Sequence, residues 1–139
     1  AGQRVGYMIG QPDVINEIRF NGTGEASLSM AGISAAIASY EDKEFMNFSR
    51  TKIKEAKDIV ENGLRANGLS YLPSETNVIL VDLGNMDADK FRDEMLNQNI
   101  LIRGKYGDFH NWSRVSMGKL SDVQRYVDAL PQVISNLSA

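Results

Sequence analysis

Residues 42–66 keep one amphipathic period without a break, and a helix of roughly seven turns dictates much of what must surround it. Phe45, Phe48, Ala56, Ile59 and Leu64 fall near one stripe, with Lys and Glu on the opposite side. Such a stripe has to be covered by other elements, and Asn67-Gly68 supplies the C-terminal cap that ends the helix. The residues that follow are suited to cover it. Strands are predicted over 69–72 and 77–83, separated by Pro73-Ser74, and then a helix over 88–97 with Phe91 and Met95 inward. Strands over 100–103 and 112–117 follow, joined by a glycine-containing loop. Ser121-Asp122-Val123-Gln124 then reads as a capping box for a last helix. In that helix Val123, Tyr126, Val127, Leu130, Val133, Ile134 and Leu137 recur every three or four residues, and Pro131 is expected to kink it. The order β-β-α-β-β-α implies an α/β unit, with a small mixed sheet backed by helices.

The first forty residues have a different character. A β-type run over 4–9, closed by Gly10, precedes a helix started by Pro12 and Asp13, and a helix rich in small residues is expected over 27–40. One strand and two helices have no partners of their own, so residues 1–44 read as the tail of a larger domain and residues 45–139 as a small C-terminal domain that includes the long connecting helix.

Bulk properties exclude several functions. The chain has 18 acidic and 15 basic residues, a net charge of -3 with no charge blocks, which gives no footprint for nucleic acid or an anionic membrane. With no cysteine there is no disulfide, thiolate metal site or thiol nucleophile, and the balance leans toward the cytoplasm. The longest mainly apolar stretch, over 28–38, is too short to span a bilayer.

Candidate chemistry narrows quickly. His110 is the only histidine, so neither a metal site nor a serine triad has the partners it needs. Gly2, Gly6 and Gly10 match neither the dinucleotide fingerprint nor the P-loop. Asp87 and Asp89 are expected on a solvated helix face. Three arginines stand out. Arg4 opens the first strand between glycines, and Arg103 and Arg114 each sit in an otherwise apolar strand. A guanidinium among apolar neighbours needs an anion or carboxylate, and its planar fork suits bidentate recognition of either carboxylate or phosphate. The same pattern also fits arginines facing solvent on alternate positions, or structural ion pairs.

Longer stretches carry a resemblance. Ala1-Gly2-Gln3-Arg4-Val5-Gly6-Tyr7, the run Tyr71-Leu72-Pro73-Ser74-Glu75-Thr76-Asn77 leading into Val78-Ile79-Leu80-Val81-Asp82, and Ile100-Leu101-Ile102-Arg103 followed by Trp112-Ser113-Arg114-Val115-Ser116-Met117-Gly118 occur in the order and spacing of one family. Together they resemble the C-terminal part of fold-type I pyridoxal-phosphate-dependent aminotransferases (class I/II), nearest to the histidinol-phosphate aminotransferase group. That resemblance implies the end of a large cofactor-binding domain joined to the small α/β domain, with pyridoxal 5'-phosphate as cofactor. It matches Arg4 to the arginine on the cofactor phosphate and Arg114 to the one that clamps the substrate carboxylate. Arg103 matches a second anion-binding arginine, and Asn77 a position beside the substrate pocket that equally serves to satisfy strand ends. The Schiff-base lysine of the family is expected upstream of Ala1, so no catalytic residue is assigned within the chain, and the chain alone is expected not to transaminate. Implied partners are a small-molecule amino donor, a 2-oxo acid acceptor and a second subunit of a homodimer, in the cytoplasm. Other reactions on the same scaffold, such as decarboxylation or a cyclising synthesis, share these anchors, and a non-catalytic binding module would keep the small domain alone. The chain departs from the family in its longer, more polar link over 21–30. It departs again in Gly104-Lys105-Tyr106-Gly107, where many relatives have proline after the first strand arginine.

Overall fold

A computed structural model of the chain describes residues 2–22 and 27–138. Five helices and three strands occur among them: α1 (Pro12–Asn21), α2 (Met30–Glu41), α3 (Lys43–Ala66), β1 (Ser70–Leu72), β2 (Val78–Asp82), α4 (Ala88–Asn97), β3 (Trp112–Ser116) and α5 (Leu120–Ser138). They fall into two compact units, Ala1–Phe48 and Ser49–Ala139.

In the N-terminal unit, Pro12 opens α1 where its missing N–H is harmless, and the Ser29 hydroxyl caps α2 by accepting from Gly32 N at 3.2 Å. Gly32 lets residues 3–5 lie close to α2, because a Cβ there would come within 2.7 Å of Val5 Cγ2 and 3.1 Å of the Gln3 carbonyl. The strand expected over 4–9 does not form. Arg4 takes a left-handed φ of 56°, and no described residue supplies the ladder that a strand requires. Phe45 and Phe48, expected on the buried stripe of the long helix, are instead 59% and 56% exposed, and stack on each other with centroids 6.2 Å apart.

The C-terminal unit holds the core. Its share of α3 buries Ala56, Val60, Gly63 and Leu64, a face set by the i, i+4, i+7, i+8 rows. Of the predicted stripe, Ala56 and Leu64 are fully buried and Ile59 packs against the core edge. At the helix end Gly68 adopts φ 70°, while Gly68 N donates to Arg65 O and Leu69 N to Leu64 O, so the last carbonyls are satisfied and the chain turns into β1. β2 is the central strand, pairing antiparallel with β1 (Leu72 opposite Leu80) and with β3 (Leu80 opposite Arg114). The sheet is therefore antiparallel throughout the described residues and not mixed. Alternation along β2 turns Ile79 and Val81 into the core, where they meet Val115 of β3.

The run over 100–103 was also expected to be a strand, but it touches β3 only at one bridge, Arg103 with Arg114. Beyond Arg103 the Lys105 amide donates to Asp89 Oδ1 at 3.3 Å, so the chain is drawn toward α4 instead of continuing along β3. α5 begins one residue before Ser121: the Lys119 carbonyl accepts from Asp122 N and Val123 N, which puts Ser121 inside the first turn and excludes the expected capping box. α5 runs on through Pro131 and buries Val123, Tyr126, Leu130 and Val133.

α4 starts where Asp87 caps it, its carboxylate accepting from Asp89 N and Lys90 N at 3.0 Å each. The Lys90 amide, first among several causes, holds the Asp87 carboxyl below the usual carboxylate range. A folded-state pKa below the unfolded one stabilises the fold at pH values above the unfolded pKa and loses that contribution as pH falls through the folded pKa. Asp87→Ala is therefore expected to lower Tm by a few degrees at neutral pH, with the gap to wild type closing in strong acid. Thermal unfolding followed by circular dichroism at the two pH values checks this.

Candidate functional site

The bridge between residue 103 and β3 sets two guanidiniums on the same side of the chain. Arg103 and Arg114 are antiparallel partners, joined by Arg103 N donating to Arg114 O at 3.4 Å and by Ser113 Oγ donating to Arg103 O at 2.9 Å. Opposed residues of an antiparallel pair project their side chains from one face, so the two cations are neighbours. Both lie against Tyr106: the Arg103 guanidinium carbon is 4.7 Å from the ring centroid and that of Arg114 is 5.5 Å away. Arg114 Nη1 donates to the Tyr106 hydroxyl at 2.8 Å. Arg114 is half-buried, and its Nε is buried without a hydrogen-bond partner. The guanidinium thus has donor capacity that the described residues leave unused.

The two arginines border a groove of about 650 Å³, walled by residues 99–102, the outer edge of β3 and the first turns of α5. Tyr126 reaches its wall, and its hydroxyl too is buried and has no partner among the described residues; burial pushes the phenol well up, so it stays protonated. Asp89 fixes the loop between the arginines. Its carboxylate accepts from Arg92 Nη1 at 2.9 Å and from the Lys105 amide, with Lys105 Nζ at 3.6 Å. Gly104 packs so close that a Cβ would meet Asp89 Oδ1 at 2.2 Å. The expectation that Asp89 merely faces solvent is therefore corrected: the carboxylate pins the start of the loop to α4.

Of the other residues singled out in the sequence, Asn77 is not brought to the pair. Its carbonyl accepts from Met117 N at 2.8 Å, which satisfies the strand end, and its side chain is exposed beside Arg50, Lys54 and Lys57 along a second groove. Arg4 lies in the N-terminal unit, exposed, with Gly2 and Gly6 on either side, where an added Cβ would meet nothing within 4 Å. His110 contributes its carbonyl, which accepts from Ala88 N at 2.7 Å. Tyr106 and Asp89 were missed as site residues. The signal for Tyr106 was its place in Gly104-Lys105-Tyr106-Gly107, where the chain departs from the family that it resembles, and Gly107 takes φ 52° at the turn.

A sequence profile for class I and II aminotransferases matches residues 1–130. The chain belongs to that family. Similar proteins include histidinol-phosphate aminotransferase 2 of Pseudomonas fluorescens, 33% identical over 142 residues, with 97% of this chain and 36% of that protein covered. The histidinol-phosphate aminotransferase of Symbiobacterium thermophilum is 30% identical over 132 residues, covering 94% of this chain and 36% of its own length. Among solved structures, the histidinol-phosphate aminotransferase from Sinorhizobium meliloti in complex with pyridoxal-5'-phosphate superposes with a TM-score of 0.80 at 27% identity, covering 98% of this chain and 38% of that one. The chain therefore spans little more than a third of the length of the relatives it matches. An L-threonine-O-3-phosphate decarboxylase from Porphyromonas gingivalis shares the fold, with a TM-score of 0.72 at 22% identity. The aminotransferase fold inferred from the sequence is thus the fold of this chain.

Proposed function

We propose that this chain is the C-terminal part of a pyridoxal-phosphate-dependent aminotransferase that moves an amino group between histidinol phosphate, or an amino acid, and a 2-oxo acid. The observation that carries the proposal is the pair Arg103 and Arg114, converging on one tyrosine with a buried donor unspent, in a chain of the aminotransferase family. Such a pair binds the anionic end of an amino substrate and so fixes the orientation of the bond to be broken, which is the main contribution a protein makes beside proton transfer. Arg4, exposed between two glycines, fits an oxyanion that approaches the backbone closely, and it would hold the cofactor phosphate. When bound, the cofactor supplies the electron sink for chemistry at the substrate α-carbon. The family likeness would put Asn77 beside the substrate pocket, although within this chain it borders the second groove and not the one at Arg103 and Arg114.

In the same proposal residues 1–44 belong to the large domain and residues 45–139 to the small one, and the protein works as a homodimer in the cytoplasm, in amino-acid biosynthesis. The relatives' names favour histidinol phosphate as amino donor, and a 2-oxo acid is the acceptor that the proposed amino transfer requires. The discriminating experiment incubates the full-length protein, with cofactor, histidinol phosphate and 2-oxoglutarate, and measures glutamate. Stoichiometric glutamate supports the proposal. No glutamate from histidinol phosphate, together with release of carbon dioxide when a carboxylate-bearing α-amino acid is offered in its place, would assign a decarboxylase on the same scaffold instead.

A further inference from the structure

Two guanidiniums held side by side repel, and among the described residues neither Arg103 nor Arg114 makes an ion pair that would offset this. What the chain places against both is one ring. Tyr106 presents its π-system to the two cations at 4.7 and 5.5 Å, and its hydroxyl accepts from Arg114 Nη1. A ring quadrupole attracts each cation over its face, so one tyrosine ties two like charges together, and the hydroxyl fixes the turn of one of them.

The backbone holds that tyrosine from both sides. On one side Gly104 is buried against Asp89, with the Lys105 amide donating to the same carboxylate. On the other, Phe109 N donates to Tyr106 O at 2.9 Å across a turn that needs the positive φ of Gly107. The ring position is thus built by the loop.

Resting on the reading of this pair as the substrate-anion site for histidinol phosphate, we infer that Tyr106 is a positioning residue that couples Arg103 and Arg114, and that the preference of the pair for a phosphate monoester over a carboxylate depends on its ring. The chemistry follows from charge and donor count. A carboxylate has one negative charge and two oxygens, enough for one planar fork. A phosphate monoester near neutral pH approaches two negative charges and has three free oxygens, so it engages both guanidiniums and neutralises both. If the pair came apart, each arginine would meet a carboxylate as well as before, and the advantage of the phosphate would go.

The test uses the full-length protein, as wild type, Tyr106→Phe and Tyr106→Leu, titrated with inorganic phosphate and with acetate. Binding is measured by calorimetry, and the arginine Nε–H resonances are followed by NMR. Tyr106→Leu is expected to weaken phosphate by about tenfold or more and acetate by less than about threefold. Tyr106→Phe keeps the ring and loses the hydroxyl, so it should restore most of the phosphate affinity, with the Arg114 Nε–H signal still shifted. A leucine variant that does not fold leaves the phenylalanine variant to decide, through a loss of about threefold for phosphate with acetate unchanged. Equal losses for the two anions, or no loss in either variant while Arg114→Ala abolishes binding, would overturn the role of Tyr106 and leave the anion site standing. Unchanged binding in the Arg114→Ala protein as well would remove the anion site, and the inference with it.

Discussion

Arg114→Ala is expected to lower kcat/KM for the amino substrate by about 10²–10⁴-fold while leaving cofactor retention nearly unchanged. Two charge-assisted hydrogen bonds to a substrate anion contribute roughly 1.5–3 kcal/mol each, and each 1.4 kcal/mol is about a factor of ten. The loss should be near the upper end for a ligand that meets both arginines, because Arg103 then faces a dianion alone. Among the described residues the buried Arg114 Nε has no partner, so in the proposed role the substrate anion would be the group that satisfies it. Arg4→Ala should show the opposite pattern: faster cofactor loss on dilution or gel filtration, with kcat/KM recovering as cofactor is added in excess. Steady-state kinetics at saturating cofactor, together with absorbance of the protein after desalting, separates the two. An Arg114→Ala enzyme within about threefold of wild type would refute the assignment of the substrate anchor.

The parts of this design that could be read from sequence are those decided by neighbours in the chain. α4 was placed at its observed ends with Phe91 and Met95 on one face, four residues apart, although Asp87, which caps it, was expected only on a solvated face. The cap at Gly68 and the buried row Val123, Tyr126, Leu130 and Val133 in α5 were legible for the same reason. The failures occur where a distant partner decides. Residues 4–9 have strand composition, but a strand exists only when another backbone takes up its hydrogen bonds. Residues 100–103 look like a strand of the sheet, yet Asp89 captures the chain just past Arg103 and limits the pairing to one bridge. On the long helix, the aromatic side chains of Phe45 and Phe48 drew the stripe toward themselves, while the buried face runs through Val60 and the side-chain-free Gly63.

The site divides along the same line. Arg103 and Arg114 stood out in the sequence because a guanidinium among apolar neighbours calls for a counter-charge or for solvent; the structure brings the two together across one bridge, and their role as anion anchors is the proposal made above. Tyr106 was not, since its contact with both depends on the turn at Gly107 and the anchor at Asp89, and neither is encoded in periodicity. Asn77 shows the converse: family resemblance placed it near the substrate, while the geometry gives its backbone the local task of closing the ladder with Met117.

Gly63→Val is expected to destabilise the fold by about 3 kcal/mol or more, and Gly63→Ala by a net 1–2 kcal/mol, roughly what overpacking a tight core costs. On an exposed helix the alanine change would stabilise by about 1 kcal/mol, because glycine is the poorer helix former. Here the sign reverses. A Cβ at residue 63 would lie 2.4 and 2.6 Å from the two methyls of Val127 and 3.0 Å from its Cβ. The obstacle is a β-branched side chain with one favoured χ1 on a helix, so it cannot swing aside, and its Cβ cannot move unless α5 does. α3 and α5 would have to separate, opening the core around Leu64 and Leu130. Val127→Ala alone should cost about 1 kcal/mol, through lost packing of a partly buried side chain. The double variant Gly63→Ala with Val127→Ala should be more stable than the sum of the single changes predicts, by about 1–2 kcal/mol of coupling. Urea unfolding of the four proteins measures that coupling. A Gly63→Ala protein more stable than wild type, or additive single effects, would show that the α3–α5 contact is loose, and that glycine is there for some reason other than close approach.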